Sequence, residues 1–102
     1  MEPNPHADII RRLRCTAGHL NAVIEMAESG QPCEQVLHQL NAVQSALRST
    51  GIKIIRCQAE SSQDVILNSH SFNQRAAELK RIQSLYTIFV QHFNHTPEVT
   101  YD

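Results

Sequence analysis

The sequence lacks the features that define several large classes of protein. It contains no run of about 18 apolar residues, so no segment is expected to cross a bilayer as a helix. Its three cysteines are odd in number and have no CxxC spacing, which argues against a disulfide scaffold or a zinc knuckle. No basic segment followed by an apolar run opens the chain, as a targeting signal would. We therefore expect a cytoplasmic protein with reduced thiols and no membrane partner.

The common signatures of an enzyme are also missing. The chain has only three glycines, and they do not form a loop that could cradle a phosphate. No nucleophile stands at a known spacing from a base, and no acid–base pair falls in a loop segment. We therefore predict that the chain is not an enzyme.

An excess of charge of one sign is absent overall, because the formal net charge is −1. The distribution is more informative than this total, since the stretches 9–24 and 35–59 contain basic residues and no acid. On two neighbouring helices they could form one positive surface that neutralises DNA phosphates, although ordinary solvated faces fit the same pattern. No aromatic residue interleaves with the arginines, so a single-strand stacking platform is not expected. The basic residues are Arg11, Arg12 and Arg14 in the first stretch and Arg48, Lys53 and Arg56 in the second.

Apolar periodicity predicts an all-α fold of three helices and no strand. Asn4 followed by Pro5 is typical of a helix start, and Gly30 is a natural left-handed stop. The polar stretches 61–64 and 68–69 can both host the break before the third helix. We predict helices over about residues 5–29, 32–64 and 70–94, then a loose tail over 95–102, all in a single domain 1–102.

The second predicted helix is long for so small a domain. It restarts directly after the first, with Pro32 at its beginning, and its apolar stripe continues past Gly51. A glycine inside a helix costs about 1 kcal/mol relative to alanine, which is too little to break a long helix. Because its short neighbours cannot cover such a helix, we expect a partner subunit to pack against it.

The first two helices carry a specific combination of motifs. They contain Arg12-Leu13-Arg14 and Gly18-His19-Leu20 within RLRCTAGHLNAV, an AES turn, Cys33, and the run VLHQLNAVQSAL over residues 36–47. This combination resembles the small helical repressors of the CsoR, RcnR and FrmR family over about residues 9–60. The resemblance implies three-helix subunits that pair as an antiparallel four-helix-bundle dimer and assemble further as a dimer of dimers. It also implies a repressor that releases operator DNA after ligand binding or thiol modification.

The resemblance assigns DNA contact to Arg12 and Arg14. From the charge pattern we add Arg11, Arg48 and Lys53 as candidate phosphate contacts. An alternative hypothesis is a helical module, binding a metal, a thiol ligand or another protein, that keeps the scaffold and no longer binds DNA.

Cys33 is the candidate sensor residue. It falls in the first turn of the second predicted helix, where unpaired amides and the helix dipole favour a thiolate, although a cysteine that merely fills a gap is also possible. The resemblance implies that residues 25 and 29 positions later, commonly His or Cys of the other subunit, complete the site; here they are Gln58 and Ser62. Both offsets return to within about 20° of the cysteine face, yet 25 residues span about 38 Å, so only an antiparallel partner could bring them together.

Gln58 and Ser62 are not usual ligands of copper, nickel or zinc, which puts the family's metal site in doubt. Three interpretations stay open. The first is a thiol switch at Cys33 with Gln58 as a neutral hydrogen-bond partner. The second is an unorthodox site for Cu, Ni, Co or Zn that uses Cys33 with His6 or Cys57, although Cys57 is rotated about 120° from the Cys33 face. The third is a protein that has kept the fold and lost the signal.

Overall fold

The computed structural model describes residues 4–93 and contains three helices there. They are α1 (Ala7–Glu28), α2 (Cys33–Asn68) and α3 (Phe72–Phe93). No strand occurs between residues 4 and 93, so the predicted all-α subunit of three helices is confirmed. None of these helices is long and apolar enough to pass through a membrane. The predicted tail 95–102 lies outside the described residues.

The chain is organised as two compact units, Met1–Ile54 and Ile55–Asp102. In the first unit, α1 and the first part of α2 form an antiparallel hairpin. Asp8, near the start of α1, pairs with Lys53 of α2, while the His19 Nε2–H donates to Gln39 Oε1 over 2.8 Å closer to the turn. The second unit contains the rest of α2 and α3.

The helix α1 begins slightly later than the proline predicts. The Asn4 side chain accepts a hydrogen bond from the His6 N–H over 2.8 Å, and the Asn4 carbonyl accepts one from the Ala7 N–H over 3.0 Å. An asparagine side chain that bonds the backbone two residues on forms an Asx turn. The turn therefore takes up Asn4 and Pro5, and His6 becomes the capping position before Ala7.

Gly30 ends α1 in the predicted manner. Its φ of 74° lies in the left-handed region, where a side chain would be strained. The Gly30 N–H donates to the Ala27 carbonyl over 3.2 Å, and the Gln31 N–H donates to the Met26 carbonyl over 3.0 Å. This pair of bonds is a Schellman motif, which satisfies the last carbonyls of a helix. The motif lets α2 start directly after the turn.

The helix α2 continues through the polar stretch 61–64 and ends at Asn68, later than the predicted end near residue 64. Ser62 is 1% exposed, and its hydroxyl donates to Glu78 Oε2 of α3 over 2.6 Å. Because this tertiary bond satisfies the buried hydroxyl, Ser62 stays inside the helix without competing for its backbone.

Serines form the actual break between α2 and α3. The Ser71 N–H donates to Ser69 Oγ over 3.1 Å, and the Gln74 N–H donates to Ser71 Oγ over 3.3 Å. The Ser69 hydroxyl in turn donates to Gln74 Oε1 over 3.0 Å. A serine cap with a glutamine three residues later is the pattern of a capping box, here closed through a second serine.

Few apolar side chains are buried within one copy of the chain. Among the described residues the buried hydrophobic side chains are Ile9, Val23, Val43 and Phe89. The predicted apolar stripes remain partly open: Leu13, Leu20 and Ile24 of α1 are 42%, 42% and 46% exposed. Many of the large apolar side chains of the three helices are therefore only partly covered in a single copy.

Candidate nucleic-acid interface and sensor site

Three predicted DNA-binding cations converge on Asp8 in the first unit. Arg12 Nε lies 3.1 Å from Asp8 Oδ2, and Lys53 Nζ lies 2.5 Å from the same oxygen. Arg11 Nη2 pairs with Asp8 Oδ1. The Asp8 cluster, defined as these four residues, thus joins two cations of α1 to one of α2. The structure therefore places basic residues of the two acid-free stretches side by side.

The three cations change the titration of the carboxylate at their centre. Hydrogen bonds from Lys53, Arg11 and Arg12, in that order of importance, hold the pKa of Asp8 well below its usual range. A carboxyl group with a lowered pKa in the folded state favours folding above its ordinary pKa, about 3.9, and loses this contribution as the pH falls toward the lowered value. At neutral pH Asp8 is ionised, and the Asp8 cluster carries a net charge of +2.

Arg14 and Arg48 are exposed, and neither forms an ion pair within residues 4–93. Arg14 lies three residues after Arg11, so the two side chains leave the same side of α1. We define the basic patch as Arg11, Arg12, Arg14, Arg48 and Lys53. With Asp8 included, this part of the first unit carries five cations and one carboxylate, a net charge of +4.

A cleft of about 220 Å³ lies between α1 and α2 beside the Asp8 cluster. The hydroxyls of Thr16 and Thr50 each donate to a carbonyl of their own helix over 2.9 Å, so they are not donors toward the cleft. Cys15 is exposed here rather than packed in the core. The lining residues are Arg11, Arg12, Cys15, Thr16, Ala46, Ser49 and Thr50.

Asp8 was not among the residues predicted from the sequence. The acid-free stretch of α1 begins at Ile9, one residue after it. Local spacing could have found two of its three partners, since Asp8 stands three and four residues before Arg11 and Arg12. The contact with Lys53 depends on the hairpin and leaves no such local signal.

Cys33 is the first residue of α2, in agreement with its predicted position at a helix start, and its side chain is exposed. No disulfide forms in the part of the chain that the structure describes. The thiol belongs to the first unit, whereas Gln58 and Ser62 belong to the second. An exposed thiol at a helix start is accessible to a small reagent.

Gln58 and Ser62 are joined to each other and to a third residue, Glu78. The Gln58 amide donates to Ser62 Oγ over 2.7 Å, and the Ser62 hydroxyl donates to Glu78 Oε2 over 2.6 Å. Ser62 is buried, and its neutral hydroxyl lies between the other two side chains, accepting from Gln58 and donating to Glu78. Sequence reasoning missed Glu78, because it lies 16 residues away on another helix.

The remaining metal candidates, His6 and Cys57, belong to different units. His6 is exposed at the cap of α1 in the first unit, and Cys57 is half-buried in the second. Within residues 4–93 of one copy, no group of three or more His, Cys, Asp or Glu side chains is placed to hold a metal ion.

A family model described as a metal-sensitive transcriptional repressor matches residues 5–90. The chain belongs to this family. The resemblance to the CsoR and RcnR repressors is thereby confirmed, and the match reaches beyond the motifs of the first two helices into α3. No curated protein and no solved structure is detectably similar to the chain.

Members of a repressor family generally have DNA and further subunits as partners. The family is one of transcriptional repressors rather than enzymes. The metal that the family name implies does not fit the residues present. An amide and a buried hydroxyl occupy the two positions at which the resemblance implies His or Cys, and copper, nickel and zinc prefer imidazole and thiolate. The chain retains the family fold without that donor set.

Proposed function

We propose that this chain is a cytoplasmic DNA-binding repressor that holds operator DNA through the basic patch and releases it when the Cys33 thiol is modified. The observation that carries the proposal is the convergence of Arg11, Arg12 and Lys53, from two helices, at one place on the first unit. Backbone phosphates are bound by such clusters through charge and bidentate guanidinium contacts, without any need for a helix-turn-helix.

The proposed repressor is a symmetric oligomer. The exposed apolar faces of α1 and α2 need a cover, and a second copy offers the same faces in return. We propose an antiparallel four-helix-bundle dimer and, from two dimers, a tetramer. Such symmetry places several copies of the basic patch along one DNA duplex. Because the copies are linked, their individually weak phosphate contacts add up to a higher overall affinity.

The proposed sensor is a thiol switch shared between two copies. In an antiparallel dimer, Cys33 faces Gln58 of the partner subunit, whose amide can donate to a polar adduct on the sulfur. With an aldehyde, the sulfur forms a bond to the carbonyl carbon. The C=O electron pair moves to the oxygen, and that oxygen takes the proton that the thiol loses. The product carries a hydroxyl where the free thiol had none, and it occupies space at the dimer interface.

A salt titration with random duplex DNA tests the proposed DNA binding. We expect measurable binding at low salt that weakens steeply as salt rises, because each neutralised phosphate contributes about −0.9 to the slope of log K against log salt concentration. Fluorescence anisotropy of a labelled duplex measures both quantities. Absence of binding at low salt would favour the alternative, a helical interaction module on the same scaffold.

A thiol-modification experiment tests the sensor. After exposure to formaldehyde or polysulfide, we expect one adduct at Cys33 by mass spectrometry and a loss of DNA affinity on the order of tenfold or more, as for a typical allosteric coupling. Cys33→Ala should keep its DNA affinity after the same exposure. Cys15→Ala is the matched control, because Cys15 lies beside the basic patch and its own modification could also weaken binding. A response that persists in Cys33→Ala and disappears in Cys15→Ala would contradict the proposed switch.

A further inference from the structure

Asp8 contacts three of the five residues of the basic patch. A carboxylate and a phosphate offer a guanidinium or an ammonium group the same kind of charged oxygen acceptors. An arginine that donates to Asp8 therefore uses donors that a DNA phosphate would otherwise receive. The carboxylate and the DNA backbone compete for the same cations.

We propose that Asp8 is an intramolecular competitor of DNA phosphate that sets the affinity of the basic patch. The inference rests on the proposed function, since it assigns a role to one further residue of the same surface. Among the acids that the structure describes in the first unit, Asp8 differs from Glu25, Glu28 and Glu34, which form no ion pair with the patch.

The exposure of the three cations indicates which of them changes partner. The Arg11 side chain is 67% exposed, whereas those of Arg12 and Lys53 are 39% and 41% exposed. An exposed ion pair between neighbours on one helix is weak, because water and salt screen it. Arg11 can therefore rotate from Asp8 to a phosphate while Arg12 and Lys53 stay on the carboxylate.

The competition has two consequences for affinity. In the free protein, Asp8 reduces the positive potential that attracts any duplex, regardless of its sequence. In the complex, the carboxylate remains close to the DNA backbone and repels it. Both effects weaken binding to random DNA, so Asp8 limits the time that the repressor spends on sites other than its operator.

Replacing the carboxylate by its neutral isostere tests the proposal in the full-length oligomer. We expect Asp8→Asn to bind a labelled random duplex at low salt roughly threefold to tenfold more tightly than the unmodified protein. Its dependence on salt should be steeper, because Arg12 and Lys53, which stay on the carboxylate in the unmodified protein, then become available to phosphates as well. Glu28→Gln is the matched control, since it removes the same charge at the other end of α1 and should leave the affinity unchanged.

A merely structural role for Asp8 predicts the opposite result. If Asp8→Asn binds no more tightly than Glu28→Gln, while the unmodified protein binds with the expected salt dependence, the competition is refuted and the proposed function survives. If none of the three proteins binds duplex DNA, the proposed function is wrong, and the proposed role of Asp8 is wrong as well. Far-UV circular dichroism shows whether the helices are intact in each variant.

A measurement on the unmodified protein avoids any dependence on the fold of the variant. The Nε–H signal of Arg11 in a ¹⁵N-edited NMR spectrum should shift when the protein is saturated with duplex DNA, because the neighbouring Nη2 group of the same guanidinium exchanges its carboxylate acceptor for a phosphate. The signal of Arg81, on α3, is the internal reference and should stay in place. An Arg11 signal that does not move at saturation would overturn the proposal.

Discussion

Replacing Arg14 and Arg48 together by alanine is expected to weaken binding to duplex DNA by about a hundredfold or more at physiological salt. These two cations form no ion pair in the described residues, so their loss leaves the Asp8 cluster undisturbed. In a dimer the double substitution removes four candidate phosphate contacts. The slope of log K against log salt concentration should become shallower by about 0.9 for each contact that is lost.

The matched control for this prediction is Arg75→Ala with Arg81→Ala. It makes the same change in net charge on exposed positions of α3, in the second unit. We expect this control to keep most of the affinity and the full salt dependence. Equal losses in the two double variants would show that only the total charge of the protein matters, and the assignment of the basic patch would be wrong.

Converting Gln58 to His and Ser62 to Cys should create a site that binds Cu(I) on the order of a hundredfold or more tightly than the unmodified chain, because thiolate and imidazole are its preferred donors. In an antiparallel dimer the two new donors would meet Cys33 of the other copy. The unmodified chain offers an amide and a hydroxyl there, and that hydroxyl already donates to Glu78. Competition against a coloured copper chelator measures the gain.

The register of the proposed dimer decides the outcome of this experiment. Ala59→His with Gln63→Cys introduces the same two residue types one position later, which rotates them about 100° away from the helix face in question. This control should gain little affinity, and so should the Gln58→His, Ser62→Cys variant when Cys33 is also replaced by alanine. Tight copper binding by the Ala59→His, Gln63→Cys variant would refute the proposed register of the antiparallel dimer. Thermal unfolding of Ser62→Cys alone shows how much stability the lost bond to Glu78 costs.

The parts of the fold that depend on neighbouring residues could be predicted from the sequence. Gly30 ends α1 because a left-handed backbone favours glycine, and this preference is local. The start of α2 is predicted for a similar reason, since Pro32 is tolerated in the first turn of a helix. The repressor family is also predicted correctly, because its motifs lie within contiguous stretches of α1 and α2.

The parts that depend on contacts between helices could not be predicted. The polar stretch 61–64 has the composition of a loop, yet it stays helical because Glu78 satisfies Ser62 from another helix. Asp8 has the appearance of an ordinary acid at a helix start, and only the hairpin shows that Lys53 shares it. The spacing of residues in the sequence predicts neither the Ser62–Glu78 bond nor the Asp8–Lys53 ion pair.

The thiol and the Asp8 cluster lie at opposite ends of one helical hairpin. Cys33 follows the turn, whereas Lys53 meets Asp8 near the open end, about 30 Å away along α2 by the rise of a helix. If α1 and α2 rotated relative to each other by about 5° at the turn, residues at the open end of the hairpin would move by about 2.6 Å over that length. A displacement of that size exceeds the tolerance of a hydrogen bond to phosphate. In the proposed repressor, an adduct of a few atoms on Cys33 beside the turn would thus weaken phosphate contacts at the open end while both helices remain intact.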